Sequence, residues 1–223
     1  RDFDCVNESR PGVTSVILKP GEALERIDEV VDKMKHIKVV GIAGPGDPLA
    51  NPETFATLRL VHEKYPDTIL CISTNGLLLP DKIDELEKYG VKNITVTLNA
   101  IDPAIGENIY TFVEYGGKKY YGREAADLLL SHQLAGIEEA VARKMLVKIN
   151  TVYIPGVNDA HIPEIAKKVG AMGVFNFNII PLIPQYKFKD ITPPTPVEKA
   201  HMHELCAPYV RQMRHCQRCR ADA

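Results

Sequence analysis

The chain contains 223 residues, a length that suits one large α/β domain or two small ones. Its 45% hydrophobic and 25% charged residues are ordinary for a globular protein, and a net charge of -2 gives no electrostatic reason to expect nucleic acid as a partner. The sequence has no apolar run of membrane-spanning length, so we expect no membrane contact. An odd number of cysteines, five, favours a reducing cytoplasm and metal-binding thiols over a disulfide framework.

Helix and strand patterns alternate along the chain. Helices are indicated by apolar residues at helical spacing and by end signals, such as Asn51-Pro52 at one start and Gly90 at one end. Strands are indicated by short β-branched runs of the kind that parallel sheets bury. The predicted order is helix 22–35, strand 37–43, helix 52–65, strand 68–73, helix 80–89, strand 93–99, helix 125–144, strand 146–153, helix 161–170, strand 174–180 and helix 196–213.

The alternation predicts repeated right-handed βα units, which form a doubly wound sheet, a full (β/α)8 barrel or a partial barrel. A full barrel typically needs about 250 residues, more than these units span. Residues 101–123, rich in glycine and tyrosine, interrupt the pattern and are predicted to form either a lid or a packed loop. A proline-rich stretch follows Ile180 and resembles a linker.

Small residues and amides follow the predicted strands, at the carboxyl ends where such folds carry their chemistry. The turn Gly44-Pro45-Gly46-Asp47 is predicted to bind the amino and carboxylate groups of a small ligand, with Asp47 taking an ammonium group. A simple helix-capping turn is the alternative. Asn99 and Asn150 end two other strands and, on their own, favour a structural role. The strand ends contain no nucleotide phosphate loop and no catalytic triad, so we expect them to present a cofactor.

The cysteines differ in their surroundings. Cys216 and Cys219 have the C-x-x-C spacing at which two thiolates bind one metal or cluster, or close a redox disulfide. Such a pair supplies half of a four-thiolate site. Cys5 lies in a polar segment, which favours a ligand role. Cys71 lies in an apolar strand and Cys206 in a helix, where a buried structural thiol is the ordinary interpretation.

Seven motifs, in order, resemble the NifB family of radical S-adenosylmethionine (SAM) enzymes, maturases that build the precursor of the nitrogenase cofactor. The resemblance covers essentially the whole chain. The motifs are C-x-x-E-x-R-P-G (5–12), AGPGDPLANPET (43–54), CISTNGL (71–77), LNAIDP (98–103), KINTVYIPGVND (148–159), NIIPLIP (178–184) and MRHCQRCRADA (213–223).

The resemblance implies an α/β fold, the partial (β/α)6 TIM-like barrel of radical SAM enzymes, in which the five predicted strands are the second to the sixth. The first strand and the C-x-x-x-C-x-x-C loop of the radical-generating [4Fe-4S] cluster would precede Arg1. Since the sequence begins with Arg1 rather than Met, we expect it to be part of a longer chain. The expected division is a barrel core over 1–183, with the insertion 101–123, and a proline-rich linker, short helix and cluster-binding tail over 184–223.

The same resemblance implies three groups of site residues. The first binds SAM, through its methionyl amino group or its ribose and adenine; the second is catalytic and holds one substrate [4Fe-4S] cluster; the third holds a second substrate cluster. The SAM-binding group is Gly44, Gly46, Asp47, Thr74, Asn99, Asn150 and Ile180. The catalytic group at the first substrate cluster is Cys5, Cys71 and the acidic Glu8 beside the cluster. The group at the second substrate cluster is Cys216 and Cys219.

The implied activity is a lyase-type fusion of two [4Fe-4S] clusters, with insertion of a SAM-derived carbide and a sulfur, into an [8Fe-9S-C] precursor. The implied cofactors are SAM and [4Fe-4S] clusters. The implied partners are iron–sulfur cluster donors and a downstream cofactor carrier or scaffold. Two alternatives remain open: another radical SAM enzyme with an auxiliary iron–sulfur cluster that acts on a peptide or small molecule, and an iron–sulfur carrier without SAM chemistry.

Overall fold

The computed structural model describes residues 18–33, 38–43 and 46–213. This part of the chain forms seven strands and seven α-helices. The strands are β1 (Val39–Ala43), β2 (Ile69–Thr74), β3 (Val91–Thr97), β4 (Val113–Tyr115), β5 (Lys118–Tyr120), β6 (Leu146–Tyr153) and β7 (Asn176–Pro181). The helices are α1 (Pro20–Lys33), α2 (Pro52–Lys64), α3 (Leu79–Lys88), α4 (Pro103–Gly106), α5 (Gly122–Ala142), α6 (Ile162–Ala171) and α7 (Pro196–Cys206).

Five strands form one parallel sheet in the order β1-β2-β3-β6-β7, which is also their order along the chain. A doubly wound sheet would reverse its strand order at a switch point, and this sheet does not. The sequential order is that of a (β/α) barrel cut open, so the predicted partial barrel is confirmed.

The main hydrophobic core lies between the sheet and the helices that follow its strands. Alternate strand residues, among them Ile72, Val96 and Ile149, pack in one cluster with helix residues such as Leu86 and Ile165. Side chains alternate between the two faces of a strand, so the intervening residues lie on the opposite face of the sheet. That face holds the chemistry described below.

We call this opposite side of the sheet the polar face. Parallel sheets usually bury apolar residues on both sides, but here one side is mainly polar. None of the five strands contains an aspartate or glutamate. The residues of the polar face from β2 to β7 that matter below are Cys71, Ser73, Asn93, Thr95, Thr97, Lys148, Asn150, Asn176, Asn178 and Ile180.

The interruption at residues 101–123 contains the short helix α4 and an antiparallel hairpin of β4 and β5. Leu77, Val113, Ala125 and Leu129 form a small apolar cluster against which hairpin tyrosines pack. Of the two alternatives for this segment, the structure therefore favours a packed element.

The last helix is shorter than predicted. It begins at Pro196 with a capping box between Thr195 and Glu198, but it ends at Cys206 instead of Met213. Pro208 explains the difference, because a proline offers no N–H and its ring clashes with the preceding helical turn. Beyond the turn, Gln212 pairs with Phe177 of β7. In the described part of the chain, no helix is both long and apolar enough to cross a membrane.

Candidate functional site

Asp47 connects the carboxyl ends of β1 and β2. Its carboxylate accepts hydrogen bonds from the Thr74 hydroxyl (2.8 and 3.0 Å), from the backbone N–H of Asn75 (2.6 Å) and from the backbone N–H of Leu49 (3.0 Å). The last of these bonds caps a short 3-10 helix, Pro48–Ala50. The capping interpretation of this turn is therefore part of its role, and the binding of a ligand ammonium by Asp47 stays a prediction.

Gly46, beside Asp47, has a φ of +83°, in the left-handed region that favours glycine. A Cβ built on it would meet no atom within 4 Å. The backbone at this strand end is therefore open to a ligand. Thr74, by contrast, is almost fully buried, and its hydroxyl both donates to Asp47 and accepts from the N–H of Gly76 (3.0 Å). Thr74 holds the loop together, whatever else it contacts.

Gln133, which the sequence analysis did not single out, supports this site from α5. Its side-chain amide is 1% exposed and donates to the carbonyls of Asn75 (2.7 Å) and Thr97 (2.9 Å), at the ends of β2 and β3. In the sequence, this role of Gln133 is indicated only by the presence of one amide among the apolar residues on the buried side of α5. Nearby, burial raises the pKa of Tyr110 to about 12, since the phenolate would lose its hydration.

Asn158 fastens the loop after β6 to the end of β3. It is 1% exposed; its side-chain N–H groups donate to the carbonyls of Asn99 (3.0 Å) and Val152 (2.9 Å), and its Oδ1 accepts from Ile154 (2.9 Å). Asn99 in turn accepts from the N–H of Val152 through Oδ1 (2.9 Å). The Asn99 side chain is thus already bonded within the fold, and its predicted contact with SAM remains a prediction.

The polar face carries two amide oxygens that lack partners among the described residues. Asn150 of β6 accepts at Oδ1 from the Asn178 side chain of β7 (3.1 Å), and both residues are 1% exposed. The Oδ1 atoms of Asn178 and Asn176 are shielded from solvent and accept no hydrogen bond. Buried acceptors without a donor are costly, so they favour a ligand or water that donates to them. Ribose hydroxyls and an adenine amine are such donors, so Asn178, the nearer of the two to the carboxyl end of β7, fits SAM, and Ile180 lies two residues beyond it on the same face.

Cys71 also lies on the polar face, half-buried in β2. It is three residues before Thr74, about 10 Å along the strand, and so lies below the carboxyl edge of the sheet. Its neighbour in β1 is Gly41, whose built Cβ would lie 3.8 Å from that of Cys71, and its neighbour in β3 is Asn93. Burial raises the pKa of the Cys71 thiol, while a hydrogen bond from Asn93 and the charge of Lys148 oppose the shift. A thiol with space on one side and an amide donor on the other fits a soft-metal ligand.

Five of the predicted site residues lie outside the described residues: Cys5, Glu8, Gly44, Cys216 and Cys219. Within the described ranges, no three histidine, cysteine or acidic side chains converge as metal ligands do. Cys206 is fully buried at the end of α7, and burial raises its pKa to about 12, which agrees with the structural role expected for it.

A cleft of about 320 Å³ lies between the end of β7 and the start of α7. Pro181, Pro194 and Pro196 line it together with Lys199 and His203. Its described lining includes none of the predicted site residues.

Comparison with known proteins identifies close relatives of the chain. The model of the radical SAM superfamily matches residues 5–169. The FeMo cofactor biosynthesis protein NifB of Chlorobaculum tepidum is 47% identical over 226 residues, which cover 100% of this chain and 53% of the relative. The protein of the same name from Methanocaldococcus jannaschii is 47% identical over 216 residues, which cover 97% of this chain and 72% of the relative. The NifB of Frankia alni, 45% identical, is covered over 46% of its length, so the chain spans about half of some of these relatives.

Solved structures with the same fold are more distant in sequence. A radical SAM methyltransferase from Sphaerobacter thermophilus superposes with a TM-score of 0.60 at 20% identity, covering 97% of this chain and 65% of that one. Streptococcus suis SuiB bound to S-adenosylmethionine gives a TM-score of 0.65 at 15% identity, covering 95% and 47% of the two chains. At these identities the likeness supports the fold alone.

Proposed function

The chain belongs to the NifB family of the radical SAM superfamily, and we propose that it forms the SAM-binding barrel of a cytoplasmic nitrogenase cofactor maturase. Radical SAM enzymes use SAM and a [4Fe-4S] cluster. In the proposed reaction, a lyase-type step of the full-length protein fuses two substrate [4Fe-4S] clusters, with a SAM-derived carbide and a further sulfur, into an [8Fe-9S-C] precursor. Cluster donors would supply the substrates and a carrier or scaffold would accept the product.

The observation that carries this proposal is the polar face of the sheet. A parallel barrel ordinarily fills its interior with branched apolar side chains. Here the face opposite the helices carries a thiol, hydroxyls and amides, and two of its buried amide oxygens lack donors within the described residues. These groups suit a large polar ligand and an iron–sulfur cluster better than they suit a packed core.

For SAM, we propose that the open backbone at Gly46 and the Asp47 turn face the methionyl end. Asp47 keeps the ends of β1 and β2 together through Thr74, so its role includes positioning as well as binding. The ribose and adenine would then lie toward Asn150 and Ile180, with Asn99 and Gly44 completing the site.

For the clusters, we propose two pairs of thiolates. Cys71, with Cys5 and Glu8, would hold one substrate cluster, and Cys216 with Cys219 would hold the other. Two thiolates leave some iron atoms of a cluster without a cysteine ligand, which suits a cluster that is consumed; a structural cluster is usually held by four.

The other two functions have weaker support. A radical SAM enzyme that modifies a peptide would share the fold, but the solved structures of other radical SAM proteins are only 15–20% identical to this chain. An iron–sulfur carrier without SAM chemistry would leave the open Gly46 turn and the buried acceptors of β7 unexplained.

The proposal is tested with the full-length protein, reconstituted anaerobically with iron and sulfide. With SAM and a reductant we expect 5′-deoxyadenosine and an iron–sulfur precursor, which is detected by its iron and sulfide content after separation from the protein. The Cys216→Ala/Cys219→Ala variant should lose iron and fail to make precursor. Formation of precursor by that variant at the wild-type level, with no loss of iron, would refute the assignment of the second cluster.

A further inference from the structure

Lys148 is the one charged residue of β6, a strand with β3 on one side and β7 on the other. Its neighbours in sequence, Val147 and Ile149, are buried in the main core, so the half-buried Lys148 side chain extends from the polar face. Its partners in the adjacent strands are Thr95 and Asn176, both uncharged. The side chain therefore starts between two uncharged strand neighbours.

No carboxylate among the described residues pairs with Lys148. The ion pairs of this part of the chain involve other cations, on helices and on the hairpin, and the five strands carry no acidic residue. The Lys148 side chain is half-buried on this face, so its charge is available to pair with a ligand there. Such an arrangement favours an anionic ligand at this position.

Cys71 lies on the same face of the sheet as Lys148. Along the sheet, Cys71 is paired with Asn93, and Asn93 with Leu146, the residue two before Lys148 on the same face. The two side chains therefore extend from one face, with a single strand, β3, between their own strands.

We propose that the Lys148 ammonium is the counter-ion of the anionic iron–sulfur cluster held at Cys71. Iron–sulfur clusters with thiolate ligands carry net negative charge, and their reduction potential depends on nearby charge and on hydrogen bonds to sulfur. Lys148 is a positioning residue: it binds no iron, favours retention of the cluster and stabilises its reduced state. The inference rests on the proposed role of Cys71.

The carboxylate of SAM is a second anion that could pair with the Lys148 ammonium. We favour the cluster because Lys148 and Cys71 share the polar face with only β3 between their strands, and because the open Gly46 turn proposed for the methionyl end follows β1, the edge strand farthest from β6 and β7. Binding of SAM and of 5′-methylthioadenosine, which lacks the carboxylate, separates the two possibilities. A loss of affinity for SAM alone, with an unchanged cluster, would overturn the inference.

The experiment uses anaerobically reconstituted full-length protein in four variants: Cys71→Ser, Lys148→Met, Lys148→Arg and, as a control, Lys92→Met. Lys92 is exposed, and the irregular register between β2 and β3 leaves it without a partner in β2. Iron content and electron paramagnetic resonance during a redox titration are measured. The signal to follow is the one that Cys71→Ser removes.

For Lys148→Met we expect a midpoint more negative by about 60 mV, the one-electron equivalent of a tenfold change in the reduction equilibrium, together with loss of iron from this cluster. Lys148→Arg keeps the charge and should restore the midpoint, and Lys92→Met should match the wild type. An unchanged midpoint and iron content in Lys148→Met would overturn the inference. If Cys71→Ser removes no signal, the proposed role of Cys71 fails, and the inference fails with it.

Discussion

At the scale of single residues, we predict that Asn178 contacts the adenosine half of SAM. Its side-chain N–H is used by Asn150, which leaves a buried oxygen without a donor. Replacement by leucine keeps the approximate size and removes the acceptor. For Asn178→Leu in the full-length protein we expect affinity for SAM and for 5′-methylthioadenosine to fall about tenfold, the value of one hydrogen bond in a buried site. Equilibrium dialysis measures both affinities.

Asn176 provides the matched control for that substitution. It is also on the polar face, two residues and about 7 Å farther from the carboxyl end of β7, and its Oδ1 likewise lacks a donor. Asn176→Leu should leave the affinity for 5′-methylthioadenosine unchanged. Equal losses in the two variants would argue that both act through the packing of β7.

His161 predicts a pH dependence of stability. Its Nε2 accepts a hydrogen bond from the N–H of Ile101 (3.0 Å), which requires the neutral ring, and burial lowers its pKa despite the opposing charges of Asp102 and Glu164. Above a pH of about 6.5, the ordinary pKa of histidine, the ring is neutral in both folded and unfolded chains. As the pH falls from there through the folded pKa, the unfolded chain binds the proton more readily, so the free energy of unfolding decreases.

We expect His161→Gln, whose oxygen can still accept from Ile101, to reduce this loss of stability between about pH 7 and pH 5.5. Urea unfolding at each pH provides the measurement. His201→Gln is the control, because His201 is exposed on α7. A wild-type slope in the His161→Gln variant would show that the ring does not titrate with folding.

Residue roles were harder to predict than residue chemistry. The strand-end turn at Asp47 was singled out from its residue types, whereas Cys71 was expected to be a buried structural thiol until the family resemblance implied a ligand role. The hydrogen bonds of Gln133 and Asn158 could not be predicted, because each side chain contacts carbonyls from segments distant in sequence. An amide gives no local signal of which backbone group it will satisfy.

At the scale of elements, Gly170 allows α6 to approach closely the turn that follows α7, at Tyr209. A Cβ on Gly170 would collide with the backbone carbonyl oxygen of Tyr209. Backbone atoms yield less readily than side chains, so we expect Gly170→Ala to lower the free energy of unfolding by about 1–3 kcal/mol. Gly21→Ala in α1, where a Cβ meets no atom within 4 Å, should be neutral or stabilise by up to about 1 kcal/mol. Denaturant titrations compare the two, and an equally mild effect at both sites would contradict the close approach.

The regular elements followed from the sequence because their signals are local. Each of the five parallel strands was expected as a short β-branched run and formed within a few residues of its predicted range. The hairpin of β4 and β5 was not expected as strands, since each has only three residues and tyrosines there pack on α5 and Leu77. Its formation depends on contacts that periodicity does not report.

At the scale of the whole molecule, the sheet separates stability from chemistry. One face packs against helices and carries the core, while the polar face carries the thiol, hydroxyls and amides that we propose bind ligands. This separation accounts for strands that look apolar in sequence yet present Cys71, Lys148 and Asn178 on one side. The order of elements predicted repeated βα units, and the family resemblance singled out the partial barrel, whereas the pairing of side chains across the polar face required the register of the strands.

The most direct test of the account is the iron content of the reconstituted full-length protein with Cys71→Ser. We expect this variant to lose the iron of one cluster while keeping the wild-type affinity for SAM, because the thiol lies about 10 Å from the end of β2 and the cofactor site lies at the strand ends. The Cys206→Ala variant, which changes the buried last residue of α7, should keep all of the iron of the wild-type protein. Wild-type iron content in Cys71→Ser would contradict the central claim that the polar face holds a substrate cluster.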